Sequence, residues 1–123
     1  MGHPHRLFIL TGILLAAAEG QQPFKVGIAL DAPPQLIGNC NPTRVHFTGR
    51  VNATAPGVAT YQWIRSDNST SPVQTIRFAK PGPLTITYDW ILRKSFSGWV
   101  AFRVLSPNPI ESKKVSFQLG CGR

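Results

Sequence analysis

The segment RVHFTGRV, residues 44–51, decides the fold class because its residue types alternate with a period of two. One side of the segment is apolar or small, and the other side is polar or basic. This alternation predicts a half-buried β-strand with one face toward a core and one toward solvent. The predicted core residues are Val45, Phe47, Gly49 and Val51. The predicted exposed row is basic and consists of Arg44, His46, Thr48 and Arg50.

Six further segments show strand signals and are separated by turns rich in Gly, Pro, Asn and Ser. The seven predicted strands cover residues 24–30, 44–51, 58–65, 73–78, 84–92, 98–105 and 115–121. Their parity places Trp63 and Trp90 in the core and turns Thr60 and Thr87 outward. A parallel α/β sheet would need helical crossovers, and no segment shows a convincing helical pattern. The chain is therefore predicted to be all-β, a seven-stranded antiparallel sandwich of the immunoglobulin-like or fibronectin-III-like type.

Length and composition limit the classes of function. The 123 residues suffice for one ordinary domain, so a multidomain enzyme is excluded. The chain is 42% hydrophobic and 15% charged, which excludes the disordered and collagen-like classes. Thirteen Lys and Arg against five Asp and Glu give a formal charge of +8, which favours anionic partners.

The first 20 residues have the three-part order of a signal peptide. Arg6 and two histidines precede an uncharged stretch over residues 7–18. Small residues lie at and just after its end, at Ala16, Ala18 and Gly20. The stretch spans roughly 18 Å as a helix, too short for a permanent transmembrane anchor. We predict a signal peptide over residues 1–20, cleaved after Ala18 or Gly20, and a secreted or periplasmic domain over residues 21–123. Cleavage removes one basic and one acidic residue, so the charge of +8 belongs to the folded part.

Cys40 and Cys121 are the only cysteines. An exported chain enters an oxidising compartment, so the pair is predicted to form a disulfide rather than a metal site or a reactive thiol. An immunoglobulin bridge joins the second and sixth strands, whereas this one would tie the chain end to the rim of the sandwich.

Several spaced motifs carry a family resemblance. They are Cys40-x-x-x-Arg44-Val-x-Phe47-x-Gly49, Tyr61-Gln-Trp63-Ile-Arg65-Ser66-Asp67, Pro72-Val-Gln74-Thr75, Trp90, Gly98-Trp99 and Leu105-Ser-Pro107-Asn108-Pro109. Over most of residues 38–121 the chain resembles short secreted bacterial proteins and domains with an immunoglobulin-like sandwich and no assigned biochemistry. The resemblance implies a fold and an extracytoplasmic location, makes an enzyme less expected, and carries over no functional residue.

The residues offer little chemistry for catalysis. After residue 20 there is one histidine, His46, and the acidic residues Asp31, Asp67, Asp89 and Glu111 lie on four different segments. This part of the chain has no nucleophile elbow, no second histidine and no close carboxylate pair, so we predict no enzyme, no cofactor and no catalytic residue. His46 and Asp89 would supply two ligands where zinc usually takes four, so an exposed cross-strand pair is preferred to a metal site.

Two segments match the N-glycosylation pattern, Asn52-Ala-Thr54 and Asn68-Ser-Thr70, whereas Pro42 blocks the match at Asn41. The bacterial resemblance favours chance matches, because turns are rich in Asn, Ser and Thr in any case.

The outward parities indicate a candidate binding face. One predicted sheet face combines Thr60, Gln62, Ile64, Thr75, Arg77, Trp99, Arg103, Lys114 and Gln118. Trp and Arg together are enriched in binding surfaces, so Trp99, Arg103, Arg77 and Gln62 are the predicted binding residues. The alternative is that Trp99 is half-buried under a loop with the stem of Arg103 stacked on it.

The sequence thus predicts a secreted, non-enzymatic binding or structural module with a protein or an anionic envelope component as partner. Nucleic acid is not the expected partner, because aromatic and basic residues form no continuous strip. The alternative function is a loop-based inhibitor of a secreted hydrolase. Asn41-Pro42-Thr43 resembles the first loop of chagasin-like cysteine-protease inhibitors, but the Gly-Tyr-x-Trp continuation and a glycine-rich second loop are absent.

Overall fold

The structure, a computed structural model, describes residues 23–33 and 36–122, so the predicted signal peptide lies outside the described residues. The described residues form nine strands and no helix. The strands are β1 (Val26–Leu30), β2 (Leu36–Gly38), β3 (Thr43–Ala53), β4 (Gly57–Arg65), β5 (Gln74–Phe78), β6 (Gly82–Leu92), β7 (Phe96–Ser106), β8 (Ile110–Glu111) and β9 (Val115–Cys121). No helix in these ranges is long and apolar enough to cross a membrane.

The strands form two sheets that enclose one core. The small sheet has the order β1-β3-β6, and the large sheet has the order β2-β9-β7-β4-β5 with β8 paired to β7. The all-β sandwich is confirmed, but the predicted count of seven strands is wrong. All seven predicted strands are present, and β2 and β8 are additional.

The two additional strands escaped prediction because they are too short to show a period. β2 has three residues and β8 has two. β2 also pairs parallel to β9. The prediction of a purely antiparallel sandwich is therefore wrong for this pair of strands. This pairing joins segments that are distant in sequence, and only the folded chain defines it.

The deciding segment behaves as its alternation predicts. Val45, Phe47 and Val51 are fully buried, while Arg44 and Arg50 are exposed. β3 pairs with β6 in register from Thr43 to Ala53 and on its other edge with β1. An added Cβ at Gly49 would lie 2.9 Å from the Phe102 ring, so glycine allows the large sheet to approach here.

The core is aromatic, and the predicted burial of Trp63 and Trp90 is confirmed. Trp63 has no exposed surface and Trp90 is 4% exposed. The Trp63 ring stacks on Tyr88 of the small sheet at 5.3 Å and contacts Phe102 at 5.2 Å between centroids. Aromatic pairs at such distances contribute beyond their buried area, so Trp63 links the two sheets.

Cys40 and Cys121 form the predicted disulfide, with their Cα atoms 5.6 Å apart. The described residues contain no free cysteine. Beside the bridge, the N–H of Gly122 donates to the carbonyl of Gly38 at 2.7 Å. The end of β9 is thus fixed to the chain between β2 and β3, at the rim of the sandwich.

Candidate binding surface

The outer face of the large sheet carries the four predicted binding residues, but they do not form one cluster. Gln62 on β4 faces Arg103 on β7 directly across the sheet. Arg77 pairs with Val58 at one end of β4, and the carbonyl of Trp99 accepts from the N–H of Ser66 just beyond the other end. Val58 and Ser66 are eight residues apart, which is about 26 Å at the rise of a strand. Arg77 and Trp99 are therefore far from each other.

Trp99 lies under a lysine rather than under Arg103. The ring is half-buried, and Lys114 Nζ lies 4.4 Å from its centroid. The expected alternative was therefore right about the half-burial of Trp99 and wrong about the covering side chain. A cation at this distance over an indole forms a cation–π contact. The sequence placed Lys114 on this face, but Lys114 is not among the predicted binding residues. Strand periodicity predicts the face on which a side chain lies but not the side chains that it contacts.

Arg103 is paired with a carboxylate on the neighbouring short strand. Its Nε lies 3.7 Å from Glu111 Oε1, and the two residues are directly opposite in the register of β7 and β8. The two side chains are 41% and 47% exposed. An ion pair between partly exposed side chains contributes little to stability. The Arg103 Nε atom itself is buried and has no hydrogen-bond partner among the described residues.

Ile64 was predicted on this outer face as an exposed residue, and that expectation is wrong. Ile64 is 7% exposed. The chain after β4 turns back alongside it, with Ile64 bridged to Thr70 and the Gln62 Nε2 donating to the carbonyl of Ser71 at 3.0 Å. Gln62 is therefore held by this loop and is only partly available to a partner.

Arg65 fixes the same loop to the core. Its guanidinium donates to both carboxylate oxygens of Asp67 at 2.6 and 3.1 Å, and its Cζ lies 4.3 Å from the Trp90 centroid. The hydrogen bond from Arg65 is the main reason that the pKa of Asp67 is lowered. Burial lowers the pKa of Arg65, but its bonds to Asp67 and Tyr88 outweigh this and raise the pKa overall. The pair is a structural clamp at the end of β4.

The two outer faces differ in how their charges are balanced. On the small sheet, Arg50 pairs with Asp31 at 3.0 Å, and Arg44 lies 3.8 Å from Asp89. All four carboxylates of the described residues are engaged in ion pairs. Seven cations of the described residues have no carboxylate within 4 Å: Lys25, Arg77, Lys80, Arg93, Lys94, Lys113 and Lys114.

His46 and Asp89 face each other across β3 and β6, as expected if those strands pair. The distance from His46 Nδ1 to Asp89 Oδ1 is 2.6 Å. Within the described ranges, His, Cys, Asp and Glu form no group of three or more that could hold a metal ion. The geometry is that of an exposed cross-strand polar pair.

The remaining motifs lie in turns or at strand ends. Asn41 and Thr43 belong to a tight turn beside the disulfide, where Thr43 Oγ1 accepts from the N–H of Cys40 at 2.9 Å. Asn52 and Asn68, the first residues of the two glycosylation patterns, are both exposed.

No protein-family model matches the sequence, and a search of curated proteins finds no match. Among solved structures, the chain is similar to the CARDB domain of a Pyrococcus furiosus protein in complex with di-metal ions, with a TM-score of 0.63 and 8% identity. That likeness covers 80% of this chain and 96% of the CARDB domain. The comparison supports a β-sandwich domain and, at this identity, shows the fold alone.

A β-glucosidase from Listeria innocua in complex with glucose is also similar, with a TM-score of 0.52 and 10% identity. The same enzyme in complex with gluconolactone gives a TM-score of 0.53 and 8% identity. Each likeness covers 82% of this chain but only 17% of the glucosidase chain. The shared part is therefore a fraction of those enzymes, and the similarity again concerns the fold.

Proposed function

We propose that this protein is a secreted, non-enzymatic binding module that uses the outer face of its large sheet to hold an anionic partner at the cell envelope or outside the cell. The observation that carries the proposal is the charge balance of the two faces. The basic row of the small sheet has carboxylates within 4 Å of both its arginines. On the large-sheet face Arg103 is paired with Glu111, but Arg77 and Lys114 have no carboxylate within 4 Å among the described residues.

The predicted contact area is the part of that face around β7. Trp99 lies there under the ammonium of Lys114. The partly exposed Arg103 lies four residues further along the same face of β7. Large rings and planar cations give contact area at low entropic cost, which is why both are enriched in binding hot spots. Arg77 lies too far from Trp99 to share one small ligand, so we assign it to the rim of a larger interface.

The fold comparisons are compatible with a non-enzymatic module. The similar CARDB domain is matched over nearly its whole length, whereas the glucosidases are matched over a small part of theirs. The di-metal ions of that CARDB domain give no reason to propose a metal here, because His46 and Asp89 have no third ligating neighbour among the described residues. The disulfide and the predicted signal peptide support a location outside the cytoplasm.

Retention on envelope material from the source cells tests the proposal. Binding through charge alone weakens steeply with salt, because the Debye length falls from about 30 Å at 0.01 M to about 8 Å at 0.15 M. We expect retention of the protein to persist at 0.15 M salt. Trp99→Ala combined with Arg103→Ala should weaken it more than Arg44→Ala combined with Arg50→Ala, the matched change on the small sheet.

A control for stability makes this comparison decisive. Unfolding midpoints of both double variants identify any loss that comes from destabilisation. If the two double variants lose binding equally, and only at low salt, the large-sheet face is an ordinary solvated surface and the proposal fails.

A further inference from the structure

The outer edge of β6 is a long strand edge without a neighbour. β6 runs from Gly82 to Leu92 and pairs with β3 along its whole length. On its other side it pairs with no strand of the described residues. Its free N–H and C=O groups therefore form a template for another strand.

This edge lacks the features that usually protect strand edges. Short length, lysines, prolines and bulges prevent edge-to-edge pairing in natural sheets. β6 has 11 residues, contains no Lys or Arg, and follows β3 without a register shift. Its only proline is Pro83, at the start, and its only charge is Asp89. The other outer strands, β1, β2 and β5, have five residues or fewer.

The two faces of β6 have the pattern of a strand inside a sheet. Its inward row is apolar, yet Leu84 is 40% exposed and Tyr88 only half-buried. Within residues 23–33 and 36–122 no strand lies beyond this edge to cover them. Its outward row contains Thr85, Thr87 and Asp89. An added strand with the same alternation would cover the inward row and leave the outward row in solvent.

We infer that the occupant of this edge is β6 of a second copy of the chain, antiparallel, with the two-fold axis at Thr87. Thr87 is the middle residue of β6, so this register pairs the strand over its full length. Leu84 then faces Trp90 of the other copy, and the apolar row continues across the axis. The two small sheets become one continuous sheet of six strands.

The position of the single charge selects this register. With the axis at Thr87, Asp89 faces Thr85 of the other copy, so the two carboxylates stay apart. An axis at Asp89 would place them directly opposite each other, which destabilises a strand pair. A shift of the pairing by two residues leaves two residues of each strand unpaired. The axis at Thr87 thus combines the longest pairing with the least repulsion.

Charge substitutions at Thr85 test both the dimer and its register. Thr85→Lys should tighten the dimer about tenfold, because each new lysine faces Asp89 of the other copy and the pair occurs twice. Thr85→Glu should weaken it by a similar factor. At Thr87, which faces itself, both Thr87→Lys and Thr87→Glu should weaken the dimer. The readout is the dissociation constant from sedimentation equilibrium of the protein comprising residues 21–123.

The design contains its own controls. Thr48 lies opposite Thr87 on β3, away from the edge, so Thr48→Lys and Thr48→Glu should leave dimerisation unchanged. Arg50 lies beside Thr85 within the sheet, so lysine at position 85 repels it and glutamate attracts it. Effects on monomer stability therefore have the opposite sign to the expected effects on the dimer.

A protein that is monomeric at every concentration overturns the inference. A dimer that responds equally to lysine and glutamate at position 85, or not at all, also overturns it. The inference concerns the small sheet and is independent of the binding function proposed for the large sheet, so either can fail alone.

Discussion

The side-chain amide of Asn108 forms two hydrogen bonds with the backbone of Val26. Asn108 Oδ1 accepts from the Val26 N–H at 2.9 Å, and Asn108 Nδ2 donates to the Val26 carbonyl at 3.1 Å. Asn108 lies in the turn between β7 and β8, and Val26 begins β1 and is 5% exposed. The side chain acts as a short piece of strand and joins the first strand to the large sheet.

Asn108→Ala should lower the free energy of unfolding by about 1–3 kcal/mol, because the Val26 N–H and carbonyl lose their partner. Asn108→Asp should also destabilise, since it keeps the acceptor but not the donor. Urea denaturation measures both, with the exposed Asn52→Ala as the matched control. Equal midpoints for the Asn108 and Asn52 variants would contradict this role.

Trp63→Ala should lower the free energy of unfolding by about 3–5 kcal/mol, the range for deleting a buried aromatic side chain. Trp63 contacts Tyr88 and Phe102, so the deletion opens a cavity between the sheets. Trp63→Phe should be milder and keeps the test available if the alanine variant does not fold. The outward Thr87→Ala is the control, and a midpoint unchanged by Trp63→Ala would contradict the core assignment.

Asp67→Asn should destabilise the protein at neutral pH but not in acid. The pKa of Asp67 is lower in the folded state than in the unfolded state, so its contribution is present above about pH 4 and is lost as pH falls through the folded pKa. Because the carboxylate is 38% exposed, we expect only about 0.5–1 kcal/mol at pH 7. Denaturation at a series of pH values from 7 downward should show the wild-type advantage shrink once the pH falls below about 4. A constant difference across this range would rule out the ion pair as its source.

Replacing both Cys40 and Cys121 by alanine should lower the free energy of unfolding by at most about 4.5 kcal/mol. The bridge closes a loop of 81 positions and restricts the unfolded chain. Thiol titration of the denatured wild-type protein checks the bond itself and should find no free thiol. Two titratable thiols in protein recovered from the envelope would refute the bridge, and an unchanged denaturation midpoint would refute its stabilising role.

The strand parities were available from the sequence because each depends on neighbouring residues alone. β3 is buried and exposed at the alternating positions that its residue types predict, and Trp63 and Trp90 lie in the core. The disulfide could also be predicted from the sequence, because Cys40 and Cys121 are the only cysteines. Periodicity did not predict the burial of Ile64, because it does not show that the chain after β4 turns back to pair Thr70 with Ile64.

Only the folded chain shows which side chains contact each other. The sequence placed Trp99, Arg103, Arg77 and Gln62 on one face, but only the strand order shows Gln62 beside Arg103 and Arg77 far from Trp99. The contact of Lys114 with Trp99 and the unpaired edge of β6 likewise follow from the strand order and could not be predicted from the sequence. A period of two is a local property of the chain, so the seven longer strands and the burial of Trp63 and Trp90 could be predicted from the sequence. Strand order, register and edges arise from contacts between distant segments, which only the folded chain defines.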